Sequence, residues 1–224
     1  MRGYWYVYGG GGLGIETMDI LSDYLSVVED SSWDCLFVVD NPQCSRLMGK
    51  EVVSWSSCRH GSRVSIAVGE PFLRATLAAK CLDRGLELAS IISPRAYVSS
   101  EAMVSNGVIV GPFASIQANA VIGSNVAINT QAIIGHHVRV DEHSVISSQA
   151  NLGGASTVGS SSYIGMGALI KENVNIGSGV IIGMGSVLYK NISDSLIALG
   201  NPARPVKKND ERKVFKGDKY VKQS

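Results

Sequence analysis

Three imidazoles fall within one short stretch of the second half of the chain, at His136, His137 and His143. An imidazole changes charge near neutral pH, so any of them could take a proton from an attacking nucleophile. Eighteen residues after His136 stands the pair Gly153-Gly154, and a backbone N–H with no side chain over it could hold an oxyanion. A base and an oxyanion donor are what nucleophilic addition to an activated carbonyl requires. The plainer alternatives are a surface histidine at a turn and two glycines serving only a corner. A second set lies near the amino terminus: Gly9, Gly11, Gly12 and Gly14 in a run of glycines, then Asp40-Asn41, then Gly69. A glycine-rich turn before a helix presents N–H groups to a diphosphate, and Asp40 is placed for a ribose hydroxyl or a base. The run fits Gly9-x-Gly11-x-x-Gly14, a weak signal because four consecutive glycines fit many templates. A purely structural turn is the alternative.

The histidines sit inside a repeat. From Val98 an aliphatic residue recurs at every sixth position through Val104, Val110, Ile116 and onward to Leu188. Four residues after each comes a second phased position, small or β-branched, as at Val108, Ala114 and Ala120. Gly follows the aliphatic at 111, 123, 135, 153, 159, 165, 177 and 183. A period of six fits neither the 3.6 of a helix nor independent hairpins. It predicts one short strand per hexad, three strands to a triangular coil, and coils stacked into a prism at the interstrand distance of about 4.8 Å. The glycines are expected where the corner demands unusual backbone angles. Coil arithmetic then places Gly154 directly above His136, about 5 Å away.

Ahead of the repeat the pattern changes. Tyr4–Tyr8 reads as a strand, the glycine run opens a helix to about Val27, and Leu36–Val39 is a second strand ending in Asp40-Asn41-Pro42. Val64–Val68 is a third strand, ending at Gly69, and a helix over about Pro71–Arg84 leads to a strand near Leu88–Ile92. That is a Rossmann-like βαβαβ unit, half of a doubly wound α/β sheet. A nicotinamide cofactor normally needs two such halves, and only about 90 residues precede the prism, so a nucleotide-linked sugar fits better than a dinucleotide. The expected division is residues 1–93 for nucleotide-sugar binding, 94–205 for the prism, and 206–224 for a basic tail, read as a solvated helix or frayed end.

Composition narrows the class further. A net charge of +1 argues against a general nucleic-acid binder. No apolar run of about 18 residues is present to span a membrane, and Met1–Tyr6 reads as a strand rather than a leader. Cys35, Cys44, Cys58 and Cys81 are scattered without metal-binding spacing, so reduced thiols and a cytoplasmic location are expected.

Residues 95–205 resemble the hexapeptide-repeat acyltransferases, which are left-handed parallel β-helices, and Gly200-Asn201-Pro202-Ala203-Arg204-Pro205 is similar to their closing G-x-P-A-[KR] segment. With the front unit included, the chain from Tyr4 to Pro205 resembles the sugar O- and N-acetyltransferases of the NeuD/PglD/PerB type. That resemblance implies a homotrimer, acetyl-CoA in a groove between subunits, and transfer to the amine of a nucleotide-linked amino-dideoxy sugar held by the front domain. Acetylation of a sialic-acid-type hydroxyl and a non-catalytic scaffold are the alternatives. Asn129-Thr130-Gln131-Ala132-Ile133-Ile134-Gly135-His136 matches the segment that carries the base, which implies His136 as general base for direct attack on the thioester. It also implies the Gly154 amide as oxyanion donor and Asn129 near the acceptor nitrogen, although Asn129 could equally be a stacked ladder residue. Candidate coenzyme contacts are Gly153, Gly154, Gly165, Gly183 and Ala203. The pattern departs at His137, where a carboxylate often follows the base; Asp141 or Glu142 could take that part. His143 is not carried over, because the second histidine of relatives falls where this chain has Val145. Some hexapeptide prisms bind zinc through three histidines from separate coils, but this spacing offers no partner near residue 100, so no metal is expected.

Overall fold

The computed structural model describes residues 3–215; Met1, Arg2 and the tail lysines Lys216, Lys219 and Lys222 lie outside the described residues. The front domain runs β1 (Gly3–Tyr8), α1 (Gly12–Val27), β2 (Trp33–Val39), β3 (Arg46–Leu47), β4 (Lys50–Ser54), β5 (Arg63–Ile66), α2 (Pro71–Asp83) and β6 (Glu87–Leu88). The sheet order is β3-β4-β2-β1-β5-β6, parallel except for the β3–β4 hairpin. Strand β1 is central, and Trp5, Tyr6, Val7 and Tyr8 are all buried, as a strand covered on both faces must be. On one side α1 brings Met18 and Leu21 onto Trp5, Val7 and Phe37. On the other α2 brings Leu77, Ala78 and Cys81 onto Tyr6, Tyr8 and Val64. The β3–β4 hairpin was not foreseen. Its turn residues Met48 and Gly49 both have positive φ (49° and 72°), and Met lacks the Asn or Asp signature of such turns.

The expected strand at 88–92 is two strands. Glu87–Leu88 closes the front sheet, whereas Ile91–Ile92 is the first rung of the prism and pairs with Ile109–Val110. From there two-residue strands alternate among three parallel walls, each paired with the strand 18 residues on, as in Ile133↔Asn151 and Ile134↔Leu152. The first wall contains Ala127–Ile128 and Tyr163–Ile164, the second Ile133–Ile134 and Leu169–Ile170, and the third Arg139–Val140 and Thr157–Val158. The chain is thus a parallel β-helix behind an α/β domain. Both phased series point inward: Ile116, Ile122, Ile128 and Ile134 are fully buried, as are Ala120, Val126 and Ala132. Each buried aliphatic contributes about 1.5–3 kcal/mol.

The corner glycines are explained differently than their backbone angles would suggest. Gly111, Gly123, Gly135, Gly153 and Gly165 do not have positive φ; a Cβ at Gly111 or Gly123 would lie 2.6 Å from a backbone nitrogen of the next coil. They are needed for close stacking. The left-handed backbone position falls two residues later, where Phe113, Asn119, Asn125, Gln131, His137 and His143 have φ between 55° and 63°. Asn and His tolerate this region better than most residues.

The segment read as a tail is partly a strand. Ala203–Lys208 pairs antiparallel with Leu196–Gly200 on the first wall. Beyond it Asn209 is buried and donates to the Gly179 carbonyl, and the Val214 and Phe215 N–H groups donate to the Glu70 carboxylate at 2.9 and 2.7 Å. Residues 209–215 therefore strap the prism to the front domain.

A polar junction locks the two domains from inside. Arg74 on α2 is fully buried; its guanidinium donates to the carbonyls of Ile66 and Val68, and to both the carbonyl and Oδ1 of Asn125 at a prism corner. Asn125 Nδ2 donates back to the Arg74 carbonyl and to His143 Nδ1 at 3.1 Å. Burial, aided by the charge of Arg74 and opposed by Glu142, holds the His143 imidazole below its usual range. The unfolded chain therefore binds this proton first as pH falls, so the folded state is at full strength above about pH 6.5 and weakens below it. Denaturation midpoints should fall between pH 7.5 and 5.5 more steeply for the wild type than for His143→Asn; parallel curves would remove His143 as the cause.

Candidate active site

His136 follows the Ile133–Ile134 strand at the corner between the second and third walls, and Gly154 stands at the same corner one coil on, as the arithmetic placed it. The Ala155 N–H donates to the His136 carbonyl at 2.9 Å. A Cβ on Gly154 would lie 2.5 Å from both Cε1 and Nε2 of His136. The imidazole thus occupies the space that any other residue at 154 would fill, and Nε2 is held beside the Gly154 backbone. Among the described residues the Gly154 N–H has no backbone acceptor, a property that recurs at this corner position along the prism. What sets Gly154 apart is the missing side chain and the ring against it. A proton acceptor and a free amide donor therefore lie side by side on an exposed edge.

The base's second nitrogen has an unexpected partner. His136 Nδ1 lies 3.1 Å from His137 Nδ1, and His137 Nε2 lies 3.3 Å from Nδ2 of the Asn119 side chain one coil below. Neither Asp141 nor Glu142 is bonded to His136; Asp141 is paired with Arg139 at 2.7 Å. Gly153 shares the His136 corner and stacks on the backbone of Glu172. Asn129, Gly165 and Gly183 lie on a different corner, between the first and second walls, so the structure does not bring Asn129 to His136. Gly165 and Gly183 line a groove of about 630 Å³ with Tyr163, Ile181, Met184 and Leu199. Lys207, Lys208 and Lys213 also line it, which the sequence reading missed because the tail's return to this wall has no local signal. Ala203 does not line the groove; it is buried in the prism core.

In the front domain the carboxyl ends of β2, β1 and β5 lie side by side, and Gly9, Asp40 and Gly69 follow them. This is the position at which the strand order reverses, where open α/β sheets bind ligands. Gly9 has φ +132°, and a Cβ on Gly14 would lie 2.1 Å from the Gly9 carbonyl oxygen, so both are structurally required. Gly11 and Gly12 face open space at the start of α1, which has no side-chain cap and no acid in its first turn. Their N–H groups are available to an anion. Asp40 Oδ1 accepts from Tyr8 at 2.8 Å and from Lys80 at 2.5 Å. Lys80 holds the Asp40 carboxyl below the usual range, while burial pushes the Tyr8 phenol up to about 12. Lys80 also sits 4.4 Å over the Trp55 ring. Asn41 is exposed, and Gly69 lies under Phe215 of the strap. Tyr8, Trp55 and Lys80 were not legible as site residues, being brought together from separate strands and a helix.

Among the described residues no group of three or more His, Cys, Asp or Glu is arranged to hold a metal ion, and no helix is long and apolar enough to cross a membrane. All four cysteines are free thiols.

Residues 155–190 match the family described as bacterial transferase hexapeptide (six repeats). No curated protein matches the sequence. Among solved structures, a histidine-to-asparagine variant of perosamine N-acetyltransferase from Caulobacter crescentus, in complex with CoA and GDP-perosamine, is 27% identical. It covers 93% of this chain and 99% of its own, with a TM-score of 0.83. The acetyltransferase domain of PglB from Neisseria gonorrhoeae, in complex with acetyl coenzyme A, is 28% identical, covering 92% of this chain and 100% of its own with a TM-score of 0.84. WeeI from Acinetobacter baumannii is 25% identical, covering 91% and 99% with a TM-score of 0.83. Fold and repeat together are those of an acyltransferase similar to the bacterial hexapeptide transferases. More narrowly, the chain resembles the PerB and PglB sugar N-acetyltransferases over nearly its whole length.

Proposed function

We propose that this protein is a left-handed β-helix enzyme that transfers an acetyl group from acetyl-CoA to the amine of a nucleotide-linked amino sugar, with His136 as general base. The observation that carries the reading is the His136 ring packed on Gly154, which sets a base beside an unused amide donor. The amine nitrogen attacks the thioester carbonyl while Nε2 of His136 takes its proton. The Gly154 N–H stabilises the oxyanion. Collapse expels the CoA thiolate, which recovers the proton from His136.

The groove fits the coenzyme, because apolar walls at Ile181, Met184 and Leu199 suit the pantetheine arm and Lys207, Lys208 and Lys213 suit its phosphates. This groove and Asn129 lie on one edge of the second wall, and His136 lies on the other. The wall between presents exposed Tyr97, Ile133 and Leu169. A threefold assembly through this wall would set one subunit's His136 against a neighbour's Asn129, Gly165 and Gly183. Related structures with CoA, acetyl coenzyme A and GDP-perosamine support both substrate classes.

Acetyl-CoA and UDP-, GDP- and dTDP-amino sugars, tested singly, should raise the melting temperature with acetyl-CoA and with one nucleotide series, and light scattering should give about three times 23.7 kDa. An active monomer would overturn the shared site. Gly12→Leu should raise KM for the sugar nucleotide at least tenfold with acetyl-CoA affinity unchanged, since its side chain enters open space. Equal loss of both affinities would misplace the nucleotide site.

A further inference from the structure

We infer that Asn119 and His137 form a relay that fixes which nitrogen of His136 carries its proton, taking the place of a carboxylate. This rests on His136 being the base, as proposed above. The two Nδ1 atoms are 3.1 Å apart, so one of them must carry a hydrogen and the other a lone pair. Nε2 of His136, beside Gly154, is the free base only if Nδ1 of His136 is the protonated one and His137 accepts. A neutral His137 that accepts at Nδ1 must carry its own proton on Nε2, and that proton needs an acceptor. The group in place is the Asn119 amide, whose Nδ2 stands 3.3 Å from His137 Nε2, so that as placed it donates and the order runs in reverse. Its two ends are related by a half-turn of the side chain, and the chain closes when Oδ1 faces His137. Protons are then ordered from His136 Nδ1–H to His137, and from His137 Nε2–H to Asn119. The reverse order would leave Nε2 of His136 protonated and unable to accept from the substrate.

The backbone fixes the relay's geometry. Asn119 and His137 are left-handed corner residues with φ of 61° and 60°, stacked exactly one coil apart in sequence. The two histidine rings meet edge to face, with centroids 5.3 Å apart. Among the described residues no carboxylate is bonded to either ring: Asp141 is paired with Arg139, and Glu172 lies 3.8 Å from Lys171. A neutral acceptor orients His136 without adding a full negative charge, which suffices for an amine nucleophile that is partly deprotonated already.

His137 and Asn119 are positioning residues, and their substitution is distinguishable from loss of structure. His137→Ala should fold, because Ala155 holds the same left-handed conformation at this corner one coil on. Its kcat should fall tenfold to a hundredfold with KM for acetyl-CoA and melting temperature nearly unchanged. Asn119→Leu should show a similar but smaller loss. Asn119→Asp should stay within about threefold of wild type, because a carboxylate can only accept from His137. If Asn119→Asp is as slow as Asn119→Leu, Asn119 donates rather than accepts and the relay runs the wrong way for the proposal. Long-range ¹⁵N–¹H spectra of the free enzyme should show His136 as the Nδ1–H tautomer, and the Nε2–H tautomer would overturn the inference directly. A His136→Ala enzyme that keeps wild-type activity would instead sink the assignment of the base, whereas an inactive His136→Ala beside a fully active His137→Ala would sink the relay alone.

Discussion

His136→Ala is expected to lower kcat by about 10²–10⁴-fold, the usual contribution of a positioned acid–base group. The fold should survive, since His136 is an exposed corner residue outside the buried series. Acetyl-CoA affinity should also largely survive, because the coenzyme contacts proposed for the groove come from Ile181, Met184, Leu199, Lys207, Lys208 and Lys213 rather than from the imidazole. Raising the pH should partly rescue the variant, because a free amine needs no base before it attacks. His143→Ala should cost the reaction far less, as its ring is bonded to Asn125 at the domain junction. A His136→Ala enzyme that keeps more than about a third of the wild-type kcat at neutral pH would place the base elsewhere.

The second large effect is on stability. Arg74→Met keeps much of the side-chain volume but removes every donor that satisfies the carbonyls of Ile66, Val68 and Asn125. Burial draws the guanidinium down to about 9, so it stays charged at neutral pH with carbonyls and one amide oxygen as its partners. Orphaning several buried acceptors at once should cost about 3 kcal/mol or more, which lowers Tm by roughly 6–12 °C in a domain of this size. Below that transition, kcat should remain near wild type, because Arg74 touches neither the His136 corner nor the groove. A drop in Tm of less than about 2 °C would mean that water or a relaxed backbone replaces the network.

The sequence by itself determined the prism, because its code is local: each hexad carries its own inward aliphatic, and sixteen in phase leave one solution. It also determined the pairing of His136 with Gly154, since a coil of three hexads turns a spacing of 18 directly into a neighbour. The front α/β domain was legible from the buried run Trp5–Tyr8 and the glycine turn, although the Met48-Gly49 hairpin carried no usual turn residue. Only the tertiary structure decided what no spacing encodes. Corner glycines are set by the approach of the next coil, so Gly111 and Gly123 looked like torsional glycines until their neighbours were in place. The role of Arg74 had no sign in the sequence, because its partner Asn125 lies 51 positions away. Asp40 was read as placed for a ribose hydroxyl or a base, and only the tertiary structure shows that β1 and α2 bring Tyr8 and Lys80 to its carboxylate. The distribution of Asn129 and His136 to opposite edges of one wall likewise follows from where the chain turns, and residue types alone do not reveal it.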